Sequence, residues 1–266
     1  MALELPIYQV DAFADTLFGG NPAAIVPLRD WLPDRVLQQI AAENNLAETA
    51  FFVPDGDTFA LRWFTPTVEV PLCGHATLAS AYVIFEFLQP GRRQVTFTTR
   101  RSGPLNVSQS GGLLTLDFPA KPPETTAVPD GLAEALGGAR PAHVLSYDKL
   151  FCVFETAGEV KKLVPDFRRV AALDFDGVVV TAPGGGDGID FVSRYFAPAK
   201  GIDEDPVTGG AHCLLVPYWA KRLGKSRLVG RQVSARGGTV HGQDRGARVN
   251  LSGKAHFYME GRIFLP

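Results

Sequence analysis

The feature that most constrains the fold is a helical segment at residues 76–88, in which ten of thirteen side chains are apolar. A helix that is apolar on every side is a buried helix, enclosed by other structure. Pro90 and Gly91 end the segment, and strand-like stretches separated by glycine-containing turns follow at 95–99, 105–108 and 113–118. The pattern predicts strands wrapped around a central helix.

The second half of the chain has a similar outline. Strand-like stretches occur at 142–145, 151–155, 177–181 and 191–196, with a helix expected near 161–173. Residues 212–223 form a second strongly apolar helix, which Pro217 is expected to kink. Four prolines between 119 and 131 indicate a linker. We therefore predict two domains, 1–118 and 119–266, with the last strand able to return to the first domain.

A short internal repeat supports two similar halves. Arg-Trp-Phe-Thr-Pro at 62–66 matches Arg-Tyr-Phe-Ala-Pro at 194–198. Each copy precedes a loop and then a helix start made of small residues, at 73–76 and at 208–211. Both copies stand before the two most apolar helices, so we expect the halves to share one architecture and to face one another.

Charge and cysteine content exclude several classes of protein. The 26 basic and 28 acidic residues give a net charge of −2, which provides no basic surplus for a nucleic acid. No apolar run reaches the length of a membrane helix, and the N-terminus lacks the features of a signal peptide, so we expect a cytoplasmic protein. Three cysteines cannot form a complete disulfide framework, and Cys152 is expected in a buried strand.

The two helix starts are candidate binding sites for a small anion. The first N–H groups of a helix have no partner within it, and the helix dipole makes that end positive. Glycines at these positions, which are Gly74 in one half and Gly209 and Gly210 in the other, let a ligand approach the backbone. Each motif alone is equally compatible with a tight turn, but the matched pair favours an anion site.

Two carboxylates are candidates for proton transfer. Glu48 lies between two apolar stretches, where desolvation would raise its pKa, although a glutamate in such a segment is more commonly a solvated turn residue. Asp205 lies just before the second helix start, where an alternative role is capping the helix. His75 stands beside Cys73 at the first helix start.

Neither a metal nor a cofactor is expected. A metal site would need Cys73, His75, His212 and Cys213, but adjacent residues on a helix point about 100° apart, which is unlike the paired spacing of zinc ligands. The chain has no dinucleotide-binding fingerprint, no P-loop and no Gly-x-Ser-x-Gly elbow. These absences argue against nucleotide-dependent chemistry and the common serine hydrolases.

Six ordered motifs together resemble the PhzF-like family of phenazine-biosynthesis isomerases. They are Gln-Val-Asp-Ala-Phe at 9–13, Gly-Asn-Pro-Ala-Ala at 20–24, Asn-Leu-Ala-Glu-Thr-Ala-Phe at 45–51, Phe-Thr-Pro at 64–66, Cys-Gly-His-Ala-Thr at 73–77 and Asp-Pro-Val-Thr-Gly at 205–209. The resemblance implies an α+β, diaminopimelate-epimerase-like fold. It also implies two similar domains, each a barrel-like and mainly antiparallel sheet around a central helix, with the active site between them and a homodimer in solution.

The resemblance also assigns roles to individual residues. It places the family's acid/base on Glu48, its substrate-contacting glycine and histidine on Gly74 and His75, and its second carboxylate on Asp205. The family often has serine where this chain has Gly210. In the related epimerases two catalytic cysteines would fall on positions 73 and 208, but here position 208 is threonine, which argues against symmetric two-thiol chemistry.

We therefore predict a cofactor-independent isomerase that moves a proton on a small carboxylate substrate by carboxylate acid/base catalysis. A thiol-assisted racemase or epimerase using Cys73, a non-catalytic binder of small acids and a zinc-binding protein are the alternatives. The predicted catalytic residues are Glu48, His75 and Asp205, and the predicted substrate-binding residues are Gly74, Thr208, Gly209 and Gly210. No metal, nucleic-acid or membrane partner is expected.

Overall fold

A computed structural model describes residues 3–266, which form two compact units. The first unit contains the described residues up to Asp117 together with Ser252–Pro266, and the second contains Phe118–Leu251. No helix within residues 3–266 has the length and apolar character of a membrane span.

The strands of the described chain are numbered in chain order. They are β1 Leu3–Ala12, β2 Asn21–Pro27, β3 Glu48–Asp55, β4 Thr58–Phe64, β5 Glu69–Val70, β6 Gln94–Thr99, β7 Leu105–Ser110, β8 Leu113–Pro119, β9 Glu124–Thr125, β10 His143–Ser146, β11 Leu150–Val153, β12 Val178–Gly186, β13 Ile189–Ala197, β14 Ile202–Glu204, β15 Arg227–Gln232, β16 Gly238–Asp244, β17 Arg248–Gly253 and β18 Ala255–Leu265.

The α-helices are fewer and mostly short. They are α1 Asp34–Asn44, α2 Gly74–Val83, α3 Leu132–Ala135, α4 Ala157–Lys162, α5 Phe167–Ala171 and α6 Gly209–Leu223. A π-helical turn at Ile84–Leu88 continues α2, and a 3₁₀ turn occupies Pro198–Lys200.

The same strand order occurs in both units. In the first unit β1 pairs antiparallel with β2, β2 parallel with β3, β3 antiparallel with β4, β4 parallel with β6, and β6 antiparallel with β7. In the second unit β10, β11, β12, β13, β15 and β16 repeat this sequence of pairings. A short strand, β5 or β14, pairs antiparallel with the fourth strand of each series. The sheets are therefore mainly antiparallel, with two parallel pairs in each unit.

Each unit has an apolar helix packed against its strands. Helix α2 packs against β1, β2, β3 and β18, and all its residues except Gly74 and Tyr82 are buried. Helix α6 packs against β13, β15 and β16. The expected arrangement of strands around an apolar helix is confirmed, and the helix predicted at 76–88 begins two residues earlier and ends in the π-helical turn.

The repeated pentapeptides have the same structure in the two units. Arg62 donates to both carboxylate oxygens of Glu69 at 2.7 and 2.8 Å, and its guanidinium lies 5.0 Å from the ring centre of Phe64. Arg194 forms the same pair of bonds with Glu204 and lies 4.9 Å from the ring centre of Phe196. Forked hydrogen bonds and ring stacking both require guanidinium, which explains arginine at this position.

Two prolines alter the helices of the second unit. The single helix expected near 161–173 is wrong, because Pro165 separates α4 from α5 and Asp166 caps α5 through the N–H groups of Arg168 and Arg169. Pro217 lies within α6, where it cannot donate to the Cys213 carbonyl one turn earlier. That carbonyl instead accepts the N–H of Lys121 at 2.9 Å.

The turn between β1 and β2 requires glycine, and this requirement can be tested. Gly20 has a φ of +65°, and an added Cβ would lie 2.3 Å from the carbonyl oxygen of Ala12. Gly111 has a φ of +57° but open space around it. We expect Gly111→Ala to lower the free energy of unfolding by roughly 1–2 kcal/mol through backbone strain, and Gly20→Ala to lower it by about 2 kcal/mol more through the added clash. Urea denaturation measures both values, and equal losses would contradict the role of the Ala12 contact.

Candidate active site

Glu48 lies at the point where the chain enters β3 after α1. Helix α1 ends at Asn45, which has left-handed backbone angles (φ 49°, ψ 35°) and turns the chain toward the sheet. Glu48 is the first residue of β3, and only 13% of its side chain is exposed. The interpretation of Glu48 as a solvated turn residue is therefore wrong.

His75 in the first turn of α2 contacts this carboxylate. Cys73 occupies the N-cap position of the helix, and its side chain makes no capping hydrogen bond. The Nε2 atom of His75 lies 3.2 Å from Oε2 of Glu48, and 5% of the imidazole side chain is exposed. The structure thus brings together two of the three predicted catalytic residues.

The His75 ring beside Glu48 is uncharged. The distance alone would also fit an ion pair, but complete burial lowers the pKa of His75 to about 3, so the ring carries no charge at neutral pH.

Cys73 completes a line of three side chains. Its Sγ lies 3.5 Å from Nδ1 of His75, within hydrogen-bonding distance for sulfur. We call the side chains of Cys73, His75 and Glu48 the Cys–His–Glu series.

Within the described part of the chain, the same three side chains form a group that could hold a metal ion. Their ligand atoms all lie within 4.8 Å of one another. Cysteine, histidine and carboxylate are ligands that zinc accepts. His212 and Cys213, the other two residues considered for zinc, lie in the second unit. There the Nδ1 atom of the fully buried His212 is 2.8 Å from the Thr208 carbonyl oxygen, which leaves that nitrogen in a hydrogen bond.

Asp205 lies in a tightly bonded loop before α6. It follows β14, is buried, and accepts the hydroxyl of Thr208 at 2.5 Å. Thr208 is the N-cap residue of α6, and its side chain makes no hydrogen bond to the helix. Asp205 is therefore not the capping residue, and its carboxylate instead orients the threonine that begins the helix.

Gln232 holds this loop in place and was not identified from the sequence. Its fully buried amide donates through Nε2 to the Asp205 carbonyl at 2.7 Å and to the Thr208 hydroxyl at 3.1 Å. Its Oε1 accepts the Thr208 N–H at 2.9 Å. A glutamine at the end of an ordinary strand gives no signal in the sequence, because only the tertiary fold brings it to Asp205.

The predicted substrate-binding glycines occupy the helix starts. Gly74 is the first residue of α2 and is partly buried, while Gly209 and Gly210 are the first two residues of α6, buried and exposed respectively. Their N–H groups belong to the first turns, where a helix has no internal acceptors. Their part in binding a substrate remains a prediction.

Comparison with known proteins agrees with this geometry. The model of the family described as phenazine biosynthesis-like protein matches residues 10–261. The chain belongs to the phenazine biosynthesis-like family. An uncharacterized isomerase of Pseudomonas aeruginosa is 53% identical over 263 residues, which cover 99% of this chain and 100% of the relative. The predictions of the family and of an isomerase are thereby confirmed.

Solved structures confirm the predicted fold. A PhzF-family phenazine biosynthesis protein from Enterococcus faecalis is 45% identical and has a TM-score of 0.94, with 99% of this chain and 100% of that chain covered. A hydroxyproline epimerase from Agrobacterium vitis is only 10% identical, with a TM-score of 0.61 and coverage of 98% and 93%. That second likeness shows the epimerase-like fold alone.

The two buried histidines predict a pH dependence of stability. Burial lowers the pKa of His75 to about 3 and of His212 to about 4, below the ordinary 6.5. As the pH falls, the two histidines therefore bind protons in the unfolded chain before they do so in the folded protein. The stability that the neutral histidines contribute is complete above about pH 6.5 and is lost as the pH falls toward 4. Each histidine should lower the free energy of unfolding by about 2 kcal/mol between pH 6.5 and 5.

Urea denaturation of His75→Gln and His212→Gln across this pH range measures each contribution. Each variant should lose about half of the dependence between pH 6.5 and 5. His143→Gln, which replaces an exposed histidine, serves as the control and should keep the wild-type dependence. An unchanged slope in both buried-histidine variants would contradict their neutral state.

Proposed function

We propose that the protein is a cofactor-independent isomerase that shifts a proton on a small, conjugated carboxylate, with Glu48 as the acid/base. The observation that carries the proposal is the 3.2 Å contact between the nearly buried Glu48 carboxylate and the neutral His75 ring. A carboxylate that is shielded from water and lies beside an uncharged ring is suited to proton transfer with carbon.

The proposed reaction conserves atoms and electrons. Glu48 removes a proton from one carbon, and the electron pair of that C–H bond spreads over the conjugated system of the substrate. The carboxylic acid then returns the proton to a different carbon, so no electrons leave the substrate and no redox partner is needed. General acid/base transfer of this kind contributes about 10²- to 10⁴-fold in rate.

His75 supports this role because its ring is neutral. An imidazolium next to Glu48 would stabilise the carboxylate strongly and weaken it as a base. A neutral ring 3.2 Å from Oε2 gives no such stabilisation, so the carboxylate stays available as a base. The thiol of Cys73, 3.5 Å from Nδ1, holds the ring in place beside Glu48.

A carboxylate substrate fits the helix starts. The first turn of α6, in which Gly210 is exposed, presents N–H groups at the positive end of the helix dipole, and the first turn of α2 does the same beside His75. We assign Asp205 to substrate orientation, with Thr208 and Gln232 fixing its position. The substrate's charge is the feature that these groups would recognise.

A thiol-assisted racemase or epimerase is the second candidate, and one observation favours it. The Cys73 thiol lies next to an imidazole nitrogen, an arrangement that activates thiols in other enzymes when the ring can take the proton. Against this candidate, desolvation keeps His75 from becoming charged, and position 208 has no second thiol. Non-catalytic binding of a small acid is a third possibility, which the same assay separates.

Deuterium incorporation from D₂O tests the assignment of Glu48. A panel of small unsaturated carboxylates and amino acids is incubated with wild type, Glu48→Gln and Cys73→Ser, and uptake at carbon is followed by mass spectrometry. We expect Glu48→Gln to lower the exchange rate by roughly 10²-fold or more, because the acid/base is lost. Cys73→Ser keeps a hydroxyl donor toward His75 and should change the rate by less than about tenfold, since a neutral hydrogen bond contributes about 1 kcal/mol.

Each alternative predicts a different result in this experiment. Equal exchange by wild type and Glu48→Gln would remove Glu48 from the mechanism. A loss that occurs in Cys73→Ser and on thiol alkylation, with Glu48→Gln active, would indicate the thiol-assisted racemase. Saturable binding of a carboxylate with no exchange in any variant would indicate a binding protein. Metal analysis of the purified protein tests for a zinc site in the Cys–His–Glu series.

A further inference from the structure

A buried tryptophan in the repeated pentapeptide of the first unit has an indole N–H without a hydrogen-bond acceptor. Trp63 belongs to β4 and is 2% exposed, and its Nε1 has no partner among residues 3–266. The other buried tryptophan, Trp219, donates to the Thr181 hydroxyl at 3.0 Å, and Trp31 is partly exposed to solvent. Because an indole N–H usually finds a partner when it is buried, the unpaired donor of Trp63 requires an explanation.

The strand register places Trp63 on the same face of the sheet as the proposed acid/base. Trp63 lies directly opposite Ala50 in the antiparallel pair of β4 with β3, and Glu48 comes two residues before Ala50. Side chains alternate along a strand, so Glu48 and Trp63 are diagonal neighbours on one face, within the reach of a large aromatic ring. On that face Glu48 contacts His75 of α2, and Ala50 contributes only a methyl group.

The second unit shows where an aromatic ring at this position lies. Tyr195 is the counterpart of Trp63 in the repeat and lies opposite Val179, so Gly177 is the counterpart of Glu48. A Cβ built on Gly177 would be 2.6 Å from the Tyr195 hydroxyl oxygen, which means that the tyrosine covers that position. The matching register in the first unit indicates that the Trp63 indole lies beside the Glu48 side chain.

The two aromatic residues differ in how their polar atoms are satisfied. The Tyr195 hydroxyl donates to the Asp176 carbonyl at 3.1 Å. The residue that corresponds to Asp176 in the first unit is Ala47, and its carbonyl does not accept the Trp63 N–H. The donor of the second unit is therefore used within the fold, whereas the donor of the first unit is left for a ligand. An unpaired buried donor costs stability, and a bound acceptor recovers that cost.

We propose that the Trp63 indole N–H is a specificity-determining donor that binds a carbonyl oxygen of the substrate, next to the carbon that Glu48 deprotonates. This inference rests on the proposed function above. When the proton moves to Glu48, the electron pair of the C–H bond spreads onto this oxygen, where the N–H stabilises the charge until the proton returns to another carbon. Indole is a donor only, so it accepts a carbonyl and excludes an ammonium group. The site thus selects oxo acids over the corresponding amino acids.

Magnetic resonance of protein labelled with isotopic tryptophan observes this donor directly. The three tryptophans give three indole N–H signals, and Trp31→Phe and Trp219→Phe identify the remaining one as that of Trp63. Pyruvate, alanine and propionate are the probes, since they share a carbon skeleton and differ in the group next to the carboxylate. We expect pyruvate to shift the Trp63 indole signal downfield as the hydrogen bond forms, and alanine and propionate to leave it in place.

A variant without the donor measures its contribution to affinity. Trp63→Phe keeps an aromatic ring, and titrations followed by backbone amide signals compare it with wild type. We expect its affinity for pyruvate to fall roughly fivefold, as expected for the loss of one neutral hydrogen bond, and its affinity for propionate to stay within about twofold. Trp219→Phe is the matched control, because it removes an equally buried indole that is bonded to Thr181. It should keep the wild-type ratio of pyruvate to propionate affinity.

Several results would overturn the proposal. They are an absence of pyruvate binding by wild type, an unmoved Trp63 signal at saturating pyruvate, and an equal shift with propionate. An equal loss of pyruvate preference in Trp63→Phe and Trp219→Phe would reduce the effect to packing. The wild-type signal decides the matter even if Trp63→Phe does not fold. The deuterium assay of Glu48→Gln is independent, because normal exchange by that variant with a shifted Trp63 signal would end the proposed function and leave the donor as a binding group.

Discussion

The complete enclosure of α2 is the constraint on which the candidate chemistry depends. A helix with no polar face is stable only where strands cover every side, and β1, β2, β3 and β18 provide that cover. A histidine in its first turn is consequently removed from water and kept neutral. The strand that carries Glu48 is one of those covering strands, so the helix and the carboxylate are positioned by the same packing.

The two units use one topology for different chemistry. Both have the same order of parallel and antiparallel pairs, and both anchor an arginine by a forked carboxylate and an aromatic ring. The helix that follows begins with the Cys–His–Glu series in the first unit. In the second it begins beside two lysines that share one aspartate. The same topology thus carries different ionisable side chains at the two helix starts.

Local patterns predicted the framework better than the site. Runs of apolar residues identified both central helices, because a helix without a polar face has to be buried. Burial depends on distant segments, so composition could not show that Glu48 is shielded. Gln232 gave no signal, since a glutamine in a strand is ordinarily solvated. Pro165 does indicate the break between α4 and α5, but the apolar residues on both sides of it suggested one continuous helix.

Pro217 couples the main helix of the second unit to a distant segment of the chain. Because proline leaves the Cys213 carbonyl without its helical donor, the backbone of Lys121 binds there, and the Lys121 side chain reaches Asp148. Replacing this proline with a better helix former would supply a competing donor to the same oxygen. A substitution that ordinarily strengthens a helix would in this chain weaken the attachment of the segment that contains Lys121. The irregularity in the helix is therefore what holds the Lys121 ammonium near Asp148.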